Sequence, residues 1–342
     1  MGLKFKDIVV SDEITIDMLS GKSIAIDGYN MLYQFLTTIR GPDGSLLVNG
    51  KGEVTSHLTG LFSRIITFLE KGIQPVFVFD GAPPALKLEE RKRRRALKEE
   101  AQVAYDVASE REDLDGMKKF ASRMTRITPE ILNSTKKLLF AFGLPLVEAP
   151  SEGEAQVASL VCQGKVDYAV SQDFDTLLYG TPRLVRNLSL SNRRKKKGVY
   201  GTVFVSPELI TLQKVLEKLD VTLDQLTVMA ILTGTDYNYG GVKGIGPKKA
   251  LGLVKKHGTD FDTLFSEVTW TFAVSWKEIY DLIKNMPVNK DVVIEFGAVD
   301  TGAVVQLLCD NFGFGHERIE KQLSRLDKVT AGKKQQSLSQ FF

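Results

Sequence analysis

Four short apolar runs in this chain stop at acidic residues. "SIAID" closes on Asp27 and "PVFVFD" on Asp80. "LPLVEAP" leads to Glu152 and Glu154, and "VDYAVSQDFD" ends with Asp173 and Asp175. Between them lie amphipathic stretches of helical period, one opened by Thr128 and Pro129 and closed by Gly143 and Pro145. "RLVRNL" and "TVFV" read as two more strands. Strands alternating with helices predict an α/β fold with a mostly parallel central sheet and helices on both faces. In such a sheet ligands bind beyond the carboxyl ends of the strands, so acids recurring there form a set. The plain alternative is duty in turns and caps. Ser151 and Glu154 do read as a capping box that opens a helix running to Gly164.

Six converging carboxylates repel one another unless a cation joins them, and few cations lie nearby in sequence. The chain has three histidines (His57, His257, His316) and two cysteines (Cys162, Cys309), too few for a zinc site or a disulfide framework. Oxygen ligands alone suit Mg²⁺, with Mn²⁺ as substitute. So many acids call for two ions, the arrangement that clamps attacking and leaving oxygens in phosphodiester hydrolysis. "DFDTL" also resembles the Asp-x-Asp-x-Thr of aspartate-nucleophile phosphatases, but Thr176 comes one position early.

Two other stretches carry charge with a purpose. Residues 84–127 hold few large apolar side chains and read as two exposed helices broken near Asp115–Gly116. Lys87, Arg91, Arg94, Arg95 and Lys98 make one stripe on the first of them, close after Asp80. "GGVKGIGPKKA", within a helix–turn–helix unit at about 222–258, offers Gly244 and Gly246 as backbone donors and Lys248 and Lys249 at a helix start. Such units grip duplex backbone without reading bases. The net charge of +3 adds little, and 43% apolar residues suffice for a full core. No run approaches a membrane span, which points to an intracellular protein.

Together "GKSIAIDGYNMLYQF", "PVFVFDGAPPALK", "EAPSEGEAQVA", "SQDFDTLLYG" and "LTGTDYNYGGVKGIGPKKA" resemble the flap endonucleases, structure-specific 5′ nucleases of replication and repair, nearly end to end. The short tail is similar to archaeal members. The resemblance implies one nuclease domain over 1–327 and a flexible tail over 328–342. It adds a seventh acid, Asp236. Asp27, Asp80 and Glu152 would serve mainly one metal, and Glu154, Asp173, Asp175 and Asp236 the other. Lys87 and Arg94 would reach the scissile phosphate, and Tyr33 would pack against a base beside the cut. Residues 84–127 would form a helical arch passed by a 5′ single strand. "IRGPDGSLLVNGKGEVTSH" would be a wedge with Leu46, Leu47 and Val48 exposed, and Gly2 would lie near the active site. Gln335, Leu338, Phe341 and Phe342 match a sliding-clamp box on one 3₁₀ turn. The implied partners are 5′-flapped branched DNA and a sliding clamp, for a protein otherwise monomeric. A junction or bubble nuclease, or a non-catalytic clamp-bound factor, are the rival readings.

Overall fold

The computed structural model describes residue 5 and residues 8–188, 193–195 and 202–339; side chains are described through residue 328, except at 193–195 and 202–204. Nine strands occur among these residues: β1 (Asp12–Glu13), β2 (Ser23–Asp27), β3 (Gln74–Phe79), β4 (Leu146–Glu148), β5 (Tyr168–Val170), β6 (Arg183–Arg186), β7 (Arg193–Lys195), β8 (Thr202–Phe204) and β9 (Glu208–Thr211). Seven form one sheet in the order β1-β9-β6-β5-β2-β3-β4. The run β6-β5-β2-β3-β4 is parallel throughout, and the antiparallel β9 and β1 finish one side. The mostly parallel sheet expected from the apolar runs is therefore present. The "TVFV" run, however, is β8, which pairs only with β7 outside that sheet.

Strand period explains the core. Ile24 and Ile26 face one side of β2 with Phe77 and Phe79 of β3, while Ala25, Val76 and Val78 face the other. The first side is covered by α1 (Gly28–Thr38), α2 (Ser56–Glu70) and, past the arch, the helix Pro129–Ala141. The arch is α3 (Leu88–Glu110) with α4 (Leu114–Ala121), so Pro129–Ala141 is α5. The second side is covered by α6 (Gly153–Cys162), α7 (Leu212–Leu219), α8 (Leu223–Thr233) and α9 (Pro247–His257). Helices α10 (Phe261–Ser266) and α11 (Trp276–Lys284) pack beyond them. The chain then returns to the first side as α12 (Thr301–Val305), a π turn at Gln306–Asn311 and α13 (His316–Ser339). Both faces are thus buried, as a parallel sheet requires.

Several expectations need correction. The arch breaks before Asp115: Glu112 sits at φ 54° and Asp113 caps α4 by accepting the Gly116 N–H at 2.9 Å. Ser151 and Glu154 form no capping box. Glu152 is the N-cap residue of α6 and makes no side-chain cap, while the Ser151 hydroxyl donates to the Ala82 carbonyl at 3.0 Å. In the "wedge" segment, bridges Arg40–Leu46 and Val48–Val54 make two tight turns. Leu46 and Leu47 are half-buried there and Val48 alone of the three is exposed, at 54%. The backbone of the tail continues as helix to Ser339, in keeping with its Lys, Gln and Ala content. Gly2, Phe341 and Phe342 lie outside the described residues.

Candidate active site

The sheet reverses its winding between β2 and β5, and the carboxyl ends of these strands open a crevice. Asp27 ends β2 and caps α1, accepting the Asn30 N–H at 2.9 Å. The Asn30 amide then donates to Asp173 beyond β5 at 3.0 Å, tying the two strand ends together. Asp80, just past β3, accepts the Gly153 N–H at 2.7 Å. The loops after β3 and β4 meet backbone to backbone, with the Gly81 N–H donating to the Ser151 carbonyl at 2.7 Å. A Cβ on Gly81 would stand 2.0 Å from the Ala149 carbonyl oxygen, and one on Gly153 2.5 Å from Asp80 Oδ1. Only glycine permits that approach.

Asp27, Asp80, Glu152, Glu154, Asp173, Asp175 and Asp236 all line one cavity of about 890 Å³, together with Lys87, Arg94 and Tyr33. The cations are closer than the sequence implied. Lys87 donates from Nζ to Glu152 at 2.5 Å and lies 3.3 Å from Asp236. Arg94 donates to Asp236 as well. Tyr33 is 39% exposed at the wall, its ring 5.8 Å from Lys98 Nζ. The stripe divides at this point: Lys87, Arg94 and Lys98 line the cavity, while Arg91 and Arg95 do not. Arg95 instead pairs with Glu99 at 2.9 Å in the open. Gly244, Gly246, Lys248 and Lys249 also stand away from the cavity, at the turn before α9 and its first residues. Gly244 there has φ +79°, and both lysines are exposed.

Charge at the site is under strain. Burial, then the charge of Asp80, pushes Asp27 up to about 8. Burial and then Asp175, Asp173 and Asp27 hold Glu154 well above the carboxylate range. Burial raises Asp80 and Glu152 too, against the pull of the Gly153 N–H on the first and of Lys87 on the second. Burial opposes the Lys87 ammonium, but Glu152 and Asp236 outweigh it and raise its pKa. Buried carboxylates forced toward neutrality, with oxygen the sole donor element, fit a hard divalent cation in kind. As placed, no three or more Asp, Glu, His or Cys among the described residues are grouped to hold an ion. Lys87 and Arg94 lie on Glu152 and Asp236 instead.

Several neighbours of these residues are not among those the sequence singles out. Asn30 was findable three residues after Asp27 on a helix start. Phe120, Arg123 and Ile127, which bring the second half of the arch to the cavity wall, carry no local signal.

A model of the XPG N-terminal domain matches residues 4–101, and one of the XPG I-region matches residues 143–236. Those two spans contain all seven acids, Lys87 and Arg94. The chain is 43% identical over 342 residues to flap endonuclease 1 of Pyrococcus abyssi, covering all of this chain and 98% of the relative. Its fold is similar to the solved flap endonuclease-1 of Methanococcus jannaschii, with TM-score 0.76 and 42% identity over 97% of this chain and 100% of that one. It is also similar in fold, at TM-score 0.71 and 24% identity, to the catalytic core of Rad2 in complex with DNA substrate, covering 95% of this chain and 100% of that one. The chain belongs to the flap endonuclease family, the structure-specific 5′ nucleases of DNA replication and repair.

Proposed function

We infer that this chain cuts branched DNA at the base of a 5′ flap with two Mg²⁺ ions, for which Mn²⁺ can substitute. The carrying observation is the convergence of seven acids and two cations on one cavity. Asp27, Asp80 and Glu152 would hold one ion; Glu154, Asp173, Asp175 and Asp236 would hold the other. When bound, the metal supplies Lewis-acid activation of water and charge neutralisation at the phosphate.

The chain's own residues do the rest. Burial makes Asp27, Asp80, Glu152 and Glu154 unfavourable as bare charges, which tunes the cavity for cations. Lys87 and Arg94 bring positive charge to the same carboxylates and offset the charge that builds on the scissile phosphate. Removing an electrostatic donor of this kind typically costs about 10²–10³ in rate. Tyr33 offers a ring face to the adjoining base. Gly244, Gly246, Lys248 and Lys249 grip a duplex arm by its phosphates, so shape and a free 5′ end give specificity. The Rad2 core, similar in fold, was solved with a DNA substrate, which supports the same class of ligand here.

The clamp box of Gln335, Leu338, Phe341 and Phe342 recruits a sliding clamp to a monomeric nuclease acting inside the cell. Among the described residues no helix is long and apolar enough to cross a membrane.

The test is a labelled double flap incubated with Mg²⁺ or with EDTA. A 5′-phosphate product cut at the flap base with Mg²⁺ alone is expected; equal cutting in EDTA overturns the metal reading. Truncation before Gln335 should spare intrinsic cutting and abolish stimulation by the clamp. Stimulation left intact rejects the tail assignment.

A further inference from the structure

On the wall of the cavity one set of contacts closes on itself. Residues Glu90, Arg93 and Arg94 of α3 meet the loop after α8 at two points, Asp236 and Tyr239. The Arg93 guanidinium lies over the Tyr239 ring, 3.6 Å from its centroid. It also donates from Nε and Nη2 to the two oxygens of Glu90, at 2.6 and 2.8 Å. Glu90 Oε1 takes in addition the Nε of Arg94 at 2.7 Å. Arg94 then donates from Nη2 to Asp236. The circuit runs Tyr239, Arg93, Glu90, Arg94, Asp236 and returns to Tyr239 along the loop.

These contacts differ from solvated pairs elsewhere on α3. Glu90 is only 4% exposed, and a carboxylate buried that far needs its charge matched. Arg93 meets it in fork geometry, the strongest form of that match, and Arg94 adds a single bond from Nε. Tyr239 is the reverse case: 52% exposed and in neither core cluster, so its ring does not serve the core. With Nε held by Glu90, the rigid plane of the Arg94 guanidinium has its remaining N–H groups aimed.

We propose that Tyr239, Arg93 and Glu90 are positioning residues: they clasp the base of the arch to the loop after α8 and so aim Arg94 at the scissile phosphate. None of the three has to touch substrate. The proposal rests on the role given above to Arg94. The clasp needs a ring at 239 and a planar cation at 93. Phenylalanine therefore serves at 239 and alanine does not, while lysine fails at 93.

The full-length chain tests this by single-turnover cutting of a saturating Mg²⁺-bound flap and by flap binding. Tyr239→Ala should slow cutting roughly tenfold and leave the flap Kd within about twofold, as for loss of one partly exposed cation–π contact acting on rate. Tyr239→Phe should restore the rate, and Arg93→Lys should lose it. In an Arg94→Ala background, Tyr239→Ala should add nothing. A full further loss there, or no loss in Tyr239→Ala alone, overturns the proposal. Amide hydrogen exchange without DNA gives a second readout: residues 88–96 should exchange faster in Tyr239→Ala, and unchanged exchange overturns the clasp. A wild-type chain that cuts no flap would count against the proposed function instead, and the exchange result would still judge the clasp.

Discussion

At the carboxyl edge of the sheet, Asp27 and Glu152 are buried and their backbones are held by strand ends and tight glycine contacts. Across the cavity, Lys87 reaches in from the turn just before α3 and Arg94 from α3 itself, whose outward residues are mostly exposed. In the first region burial and mutual repulsion push acids toward their neutral form; the second finds its place by pairing with carboxylates of the cavity. A mutation at the edge therefore removes chemistry from a rigid frame. A mutation on the arch removes a cation and loosens the helix that carries it.

Four experiments sharpen or break that contrast. Asp175→Ala should fold and bind flaps, yet cut about 10³-fold more slowly or worse, the scale seen when one member of a group acting as a unit is lost. Near wild-type turnover in a single-turnover assay would take Asp175 out of the site. Lys87→Ala should cost about 10²–10³ in the same assay. It also leaves Glu152 and Asp236 less compensated, so the metal-free protein should melt earlier; a higher melting temperature with normal cutting would contradict the pairing.

A smaller effect concerns proton linkage. The folded chain holds the Asp27 proton more tightly than the unfolded chain does, with a pKa of about 8 against an ordinary 3.8. The stability this gives is complete below 3.8 and lost as pH rises through about 8. The metal-free protein should thus melt at lower temperature at pH 8 than at pH 6, and Asp27→Asn should flatten that slope. An Asn variant with an unchanged slope would show that repulsion at the edge is relieved by other means. The smallest change is expected at Arg95, 77% exposed and paired in the open with Glu99. Arg95→Ala should shift stability by no more than about 0.5 kcal/mol and leave cutting near wild type. A loss as large as that of Lys87→Ala would erase the distinction between the two halves of the stripe.

His57 provides a contrast inside the core. It is buried on α2, its Nε2 2.8 Å from the Ser134 hydroxyl, and burial pushes its pKa down to about 4. There the polar group is neutral and serves packing, whereas buried Asp27 and Glu152 line an open cavity.

Much of this is legible in the sequence. Short apolar runs ending in acids dictate strands whose ends share one edge, because a parallel sheet has a single carboxyl side. Six acids followed from that logic, and Asp236 from family motifs alone, since it lies in the loop after a helix and not at a strand end. The break in the arch and the fate of Ser151 were misplaced by local rules, because a cap residue chooses among partners that only the fold supplies. The sorting of Lys87 and Arg94 from Arg91 and Arg95, and the clasp of Arg93 on Tyr239, belong wholly to tertiary structure. Periodicity determines which side of an element a residue takes. What stands opposite that side depends on how distant segments pack, and no local pattern encodes it.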